Sequence, residues 1–197
     1  MTRLTDADRA LLLTVLGTAK EEGALGPGPV EEHLDHALGW VEAIPHPVVR
    51  FADLGSGGGV PGLVMALALP EARAVLIDAR SRRCESLERA QVVLGLEDRV
   101  EVVLGRAEDL GRRDDLRGTF DLVVARGFGP PPATANNLGT GTHYVQVRKP
   151  GALPWGQKLA AKGKVVPVAD ANAQIARWRI PATVLVVTDD ARLTAWR

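Results

Sequence analysis

The chain has 197 residues, enough for one domain that buries a sizeable core without help from disulfides or metals. A single cysteine, Cys84, excludes an internal disulfide framework and any cysteine-cluster zinc site, and suits a reducing, cytoplasmic setting. No apolar run reaches the roughly 20 residues of a membrane helix, and the first residues lack the basic-then-apolar order of a secretory signal, so a soluble chain is expected. The formal charge of zero is a sum of unlike parts. Residues 1–129 hold 15 Lys+Arg against 21 Asp+Glu, whereas residues 130–197 hold 9 against 3. Lys and Asn break at the same place, with one Lys and no Asn before residue 130 and four Lys and three Asn after it. Such an asymmetry fits a nucleic-acid-facing tail or a segment of different origin.

In chain order, Thr5 followed by Asp8 reads as a capped helix start, and Leu11, Leu12, Val15 and Leu16 recur at helical spacing, which predicts a helix over 5–22. Gly23 to Gly28 break it. Pro29 opens a second helix with Val30, Leu34, Ala37, Leu38 and Val41 on one stripe, and Pro45 and Pro47 end this helical preface of residues 1–47. Short β-branched runs then alternate with helix-length segments: strands over 48–54, 74–77, 100–104 and 120–125, helices over 61–69 and 81–94. This alternation predicts an α/β, doubly wound, mostly parallel sheet of Rossmann-like class over 48–128 within a single domain. From residue 129 the regularity fails in runs of Gly, Pro and Asn. Only 165–168 and 183–187 read as strands, with a weak helix over 169–178 between them. A basic tail over 129–197 that is strongly diverged or read in a shifted frame would leave the outer edge of the fourth strand poorly protected; the alternative is an ordered nucleic-acid-binding tail whose strands pair conventionally with the sheet.

The loop from Asp53 to Gly62, Asp-Leu-Gly-Ser-Gly-Gly-Gly-Val-Pro-Gly, leaves a strand and enters a helix. Gly55, Gly57 and Gly59 permit close backbone approach of a nucleotide-like ligand. A carboxylate at Asp53, just ahead of the glycines, repels a pyrophosphate but complements the ammonium and sulfonium of S-adenosyl-L-methionine. A dinucleotide site and a purely structural turn are the other readings of the loop. Asp78 ends the second strand at the distance expected of a ribose ligand, or else is a solvated carboxylate at the strand end. Ala107 and Glu108 follow the third strand, near where an adenine amino group is met. Arg126, at the end of the fourth, is placed to clamp a carboxylate or phosphate, or else to pair with Asp53 or Glu108.

The same residues carry a family resemblance. The loop, Asp78-Ala-Arg-Ser-Arg-Arg83, Gly105-Arg-Ala-Glu108 and Phe120-Asp-Leu-Val-Val-Ala-Arg126 resemble the bacterial 16S rRNA guanine-N7 methyltransferases, also called glucose-inhibited division protein B. Glu32-His-Leu-Asp-His36 is similar to that family's His/Asp motif on the second helix. The resemblance implies a class I S-adenosylmethionine-dependent fold, rRNA processing through transfer of a methyl group to guanine N7, the small ribosomal subunit or its 16S rRNA as partner, and cofactor contacts at Gly55, Val60, Ala107, Glu108 and Arg126. No certain catalytic base is expected, because guanine N7 bears no proton; Arg126 positions. The chain departs from the pattern at Glu31 and Glu32, where the family has basic character, and after the fourth strand, where Arg148-Lys-Pro-Gly151 is the nearest echo of a Pro-Gly-Gly turn. A small-molecule or protein methyltransferase and a cofactor-binding paralogue of little activity are the alternatives. His33, His36, His46 and His143 lack metal-ligand spacing. Cys84 reads as a packing residue, and Trp155, Trp178 and Trp196 as packing or base-stacking groups.

Overall fold

The computed structural model describes residues 4–43, 47–117, 119–126, 143–147, 184–187 and 193–196. Helix α1 (Asp6–Glu21) starts at a full capping box, in which the Thr5 hydroxyl accepts from the Asp8 amide and the Asp8 carboxylate accepts from the Thr5 amide. Helix α2 (Val30–Ala43) follows. The α/β alternation then runs β1 (Arg50–Leu54), α3 (Gly62–Ala68), β2 (Arg73–Asp78), α4 (Ser81–Val93), β3 (Val100–Leu104), α5 (Ala107–Leu110) and β4 (Leu122–Arg126). Beyond it lie β5 (His143–Val147), β6 (Val184–Val187) and β7 (Leu193–Trp196). The seven strands form one sheet in the order β3-β2-β1-β4-β5-β6-β7, parallel throughout except for β7.

The period-2 alternation of the strands sorts their side chains into two cores. Phe51, Ala74, Leu76, Val100, Leu122 and Val124 face one way, onto Leu12, Val15 and Leu16 of α1, Leu34, Ala37 and Val41 of α2, and the apolar sides of α3 and α4. Ala52, Leu54, Val75, Ile77, Val123 and Ala125 face the other way, onto Ala107, Leu110 and Leu116. The predicted stripe of α1 is buried except for Leu11, which is 42% exposed. Sequential strands β1, β2 and β3 progress in one direction, so α3 and α4 cross on the same face. The chain then reverses through α5 to place β4 on the other side of β1. This reversal between β1 and β4 is the topological switch point, outside whose carboxyl ends open α/β sheets hold their ligands.

Polar anchors fix the frame away from that edge. Asp121 Oδ2 accepts from the amides of Val49 (2.9 Å) and Arg50 (2.8 Å), clamping the start of β4 to the start of β1. Arg50 also lies over the Phe120 ring, 4.7 Å from its centroid. Arg99 Nη1 donates to the carbonyls of Ala66, Leu69 and Ala72, tying the end of α3 and the turn after it to the start of β3.

Two expectations for the tail need correction. The outer edge of β4 is not open: Leu122–Arg126 pairs in register with His143–Val147, and β5 pairs in turn with β6. His143–Val147 and Leu193–Trp196, both missed from sequence, are strands, while the expected strand over 183–187 is β6, Val184–Val187. Alternation of His, Tyr and Gln with Val in β5 is weak apolar patterning, and a four-residue run such as β7 offers too short a window for its period to register. The readings at 165–168 and 169–178, and at His46, Trp155 and Trp178, lie outside the described residues.

Candidate cofactor site at the switch point

Because β1 to β4 are parallel, their carboxyl ends share one edge of the sheet. Asp53 and Leu54, Asp78, Leu104 and Arg126 are therefore brought together from four separate segments. Asp53 is 1% exposed, and its two carboxylate oxygens have different surroundings. Oδ2 accepts from the Gly62 amide at 3.0 Å; Oδ1 is buried and has no hydrogen-bond partner among the described residues. Burial pushes the Asp53 carboxyl up to about 7, against the opposing pull of the Gly62 amide, Ser56 and the charge of Arg126. A buried acceptor without a donor is costly in a finished core, and such a cost is retained at sites that a ligand completes.

The loop itself is closed upon the protein. The amides of Gly55 and Ser56 donate to the Ile77 carbonyl, that of Gly57 to Asp78 Oδ2 at 3.0 Å, and that of Gly59 to the Ser56 carbonyl. At the start of α3 the Gly62 amide is taken by Asp53 and the Leu63 amide by the Gly59 carbonyl. Of the loop's N–H groups, only those of Gly58 and Val60 enter no hydrogen bond among the described residues, whereas a pyrophosphate cradle draws on several free N–H groups together. The loop is thus built for a ligand that does not ask for them, which weighs against the dinucleotide reading. Gly57, at φ 56°, holds a left-handed conformation, and a Cβ there would come within 3.4 Å of the Ala24 carbonyl and 3.9 Å of Arg83 Nη1. Gly62 is required by space: its Cβ would lie 2.5 Å from both Asp53 Oδ2 and a Leu76 methyl.

Asp78, 4% exposed, braces the loop. Its Oδ2 takes the Gly57 amide and, at 3.4 Å, Arg83; its Oδ1 takes the Arg80 amide at 3.0 Å. Each carboxylate oxygen has two acceptor directions; Oδ2 has both taken, and the one left on Oδ1 can accept a single ribose hydroxyl. Glu108 is exposed on the first turn of α5, and Ala107 is buried against the core, as is Val60, whose side chain belongs to the packing of α3 and leaves its backbone as the contact a ligand can use. Cys84 is buried, its thiol donating to the Asp78 carbonyl at 3.5 Å, and burial pushes it up, which suits packing and not nucleophilic chemistry.

Arg126 enters no ion pair within 4.0 Å among the described residues, with Asp53, Glu108 or any other carboxylate. Its Nη1 meets His33 Nδ1 at 3.2 Å, and His33 Nε2 meets the Gly26 carbonyl at 3.2 Å. A guanidinium only donates, so Nδ1 must accept, the ring proton sits on Nε2, and that N–H donates to Gly26. His33 is held neutral: burial first, then the charge of Arg126, push its pKa down, and the same causes act on His36, whose Nε2 is buried without a partner. The motif on α2 thereby reaches across to β4. Sequence reading singled out both ends of this contact without joining them, since 93 residues separate them. It missed entirely the role of Ala24 and Leu25, which lie over Gly57 and Gly58; a lone apolar residue among glycines gives no signal.

No helix among the described residues is long and apolar enough to cross a membrane, and none of their His, Cys, Asp and Glu side chains group to hold a metal ion. The fold is similar to that of the C-terminal domain of precorrin-6Y C5,15-methyltransferase from Rhodobacter capsulatus, with a TM-score of 0.51 at 20% identity, covering 75% of this chain and 72% of that one. In sequence the chain is 46% identical over 89 residues to ribosomal RNA small subunit methyltransferase G of Prochlorococcus marinus strain MIT 9313, covering 45% of this chain and 36% of that protein. It is 42% identical over 113 residues to the protein of the same name from Frankia casuarinae, covering 56% and 42%. The aligned stretches thus span less than half the length of these curated relatives. The family model for rRNA small subunit methyltransferase G, GidB, matches residues 27–165. That match takes in α2, the glycine loop, Asp78 and Arg126 and runs on past β5, so the chain belongs to the rRNA small subunit methyltransferase G family.

Proposed function

We propose that the chain is an S-adenosylmethionine-dependent methyltransferase acting on guanine N7 of 16S rRNA in the small ribosomal subunit. The observation that carries the cofactor reading is the pairing of a buried carboxylate with a spent loop. Asp53 Oδ1 has no donor among the described residues, while the amides of Gly55, Ser56, Gly57, Gly59, Gly62 and Leu63 are already used within the chain, which leaves those of Gly58 and Val60. A cation completes such a site and a phosphate does not. Family membership supports the rRNA acceptor.

When bound, S-adenosylmethionine supplies an electrophilic methyl group on a positively charged sulfur. Asp53 holds its ammonium end and, once it does so, stays ionised at neutral pH. Asp78 would accept from one ribose hydroxyl with the acceptor direction left on Oδ1. Ala107 and Glu108 would meet the adenine, and the backbone of Gly55 and Val60 would contact the cofactor. Arg126, fixed in direction by neutral His33, orients the carboxylate of the cofactor or the acceptor. Guanine N7 carries a lone pair and no proton, so positioning replaces general-base catalysis. The test is incubation of the purified chain with methyl-labelled cofactor and small subunits lacking the modification. Label on a guanine N7 of 16S rRNA supports the reading, and label on protein, on a small molecule or nowhere refutes it.

A further inference from the structure

Beside the glycine loop, Glu22, Gly23 and Ala24 after α1 face residues 79–83 and Glu85, Ser86 and Arg89 of α4 across an open cleft of about 710 Å³. Four arginines line it, Arg80, Arg82, Arg83 and Arg89, against two glutamates, in a part of the chain whose overall balance is acidic. Arg82, Ser86 and Arg89 stand at i, i+4 and i+7, on one helix face. Two arginines are held in place: Arg89 pairs with Glu22 at 2.7 Å, beside the Ser86 hydroxyl on the same carboxylate, and Arg83 with Asp78 at 3.4 Å. Arg80 and Arg82 are exposed and enter no ion pair within 4.0 Å among the described residues. The first turn of α4 carries no acidic residue and no side-chain cap, so the positive end of that helix adds to their field.

S-adenosylmethionine has no phosphate to engage these cations, whereas an RNA presents one per nucleotide. We propose that the cleft between the α1–α2 turn and the start of α4 is the docking surface for the phosphodiester backbone of the substrate RNA, with Arg80 and Arg82 as its contacting cations. This rests on the rRNA reading above. Arg83 and Arg89, already braced by carboxylates, shape the wall, and the adjoining loop, where Gly57 neighbours both Ala24 and Arg83, brings the docked strand next to the cofactor site.

The test uses the full chain, a fluorescent RNA hairpin of small-subunit sequence and a salt series read by anisotropy. The double variant Arg80→Gln, Arg82→Gln is compared with Arg73→Gln, which removes a cation at the opposite end of β2, and calorimetry with S-adenosylhomocysteine and thermal melting accompany each. With two phosphates no longer neutralised, the slope of log affinity against log salt falls by roughly 1.4 to 1.8, at about 0.7 to 0.9 per phosphate. Arg73→Gln leaves the slope as in the parent, and cofactor affinity and melting temperature stay the same in all three. An unchanged slope in the double variant, an equal loss in Arg73→Gln, or no RNA binding by the parent chain overturns the docking surface. Cofactor binding by that same sample leaves the methyltransferase reading standing; arginine-dependent RNA binding without methyl transfer overturns that reading and keeps the surface.

Discussion

Replacing Asp53 by Asn separates what the site costs from what it does. A carboxyl raised from 3.8 to about 7 by burial costs the folded chain about 4 kcal/mol once it is ionised. The sign follows from proton counts. Between the unfolded and folded pKa values the native chain holds the proton more often than the unfolded one, so stability falls as pH rises from about 4 to about 7 and stays low above it. Asn keeps an oxygen for the Gly62 amide but sets an NH₂ group where Oδ1 has no partner, at a cost of about 1–3 kcal/mol. Asp53→Asn is therefore more stable than the parent by about 1–3 kcal/mol at pH 8 and less stable by a similar amount at pH 4. Urea unfolding of both proteins at the two pH values reads this directly, and effects of His33 and His36, common to both, cancel. A variant destabilised equally at pH 4 and pH 8 would show that the carboxylate is not held up by burial. Cofactor affinity should fall at least about tenfold, since the attraction for the ammonium is lost.

Further outcomes follow from the same geometry. The affinity of the unaltered chain for S-adenosylhomocysteine should drop by up to about tenfold per pH unit below pH 7, as Asp53 must give up its proton to bind the ammonium; flat calorimetric titrations from pH 8 to pH 5.5 would contradict this. His33→Leu strips Arg126 of its acceptor and should cost about 1–3 kcal/mol in unfolding while methyl transfer falls more than cofactor binding; equal losses in both would make the contact merely structural. Gly62→Ala forces a methyl against Asp53 and Leu76 and should cost about 1–3 kcal/mol or more together with cofactor binding, read by melting and calorimetry. Gly57→Val meets only ordinary contacts but a positive φ, so it should fold, at a penalty of about 1–2 kcal/mol, and fail to bind.

The half of the sheet that builds the site was legible because its signals are local. Thr5 and Asp8 cap α1, β-branched runs mark β1 to β3, and Ser81 begins α4 where the pattern placed it. Asp53, singled out by its position before the glycines as a cofactor ligand, has a buried carboxylate with one oxygen bonded to the Gly62 amide. Interactions across the chain were not legible. That the glycine amides are spent internally, that His33 reaches Arg126, and that Ala24 and Leu25 roof the loop depend on how α1 and α2 fold back over β1 and β4, which no periodicity encodes. The outer strands failed for a different reason: β5 begins with two polar residues side by side, His143 and Tyr144, β7 has only four residues, so neither gives a readable period, and their place beside β4 and β6 is set by backbone pairing, which leaves no mark on side-chain pattern. Asp78 lies between these cases, since its position predicted ribose contact while its hydrogen bonds reveal a brace for the loop as well.

The role proposed for every residue of the site depends on Asp53 and its loop taking a cationic nucleoside in preference to a phosphate-bearing one. Calorimetry of the purified chain at pH 8 with S-adenosylhomocysteine and with NAD decides the point. Saturable binding of S-adenosylhomocysteine, lost in Asp53→Asn, with no heat from NAD, is the predicted result; binding of NAD in preference, or no binding of either by a folded sample, would contradict it.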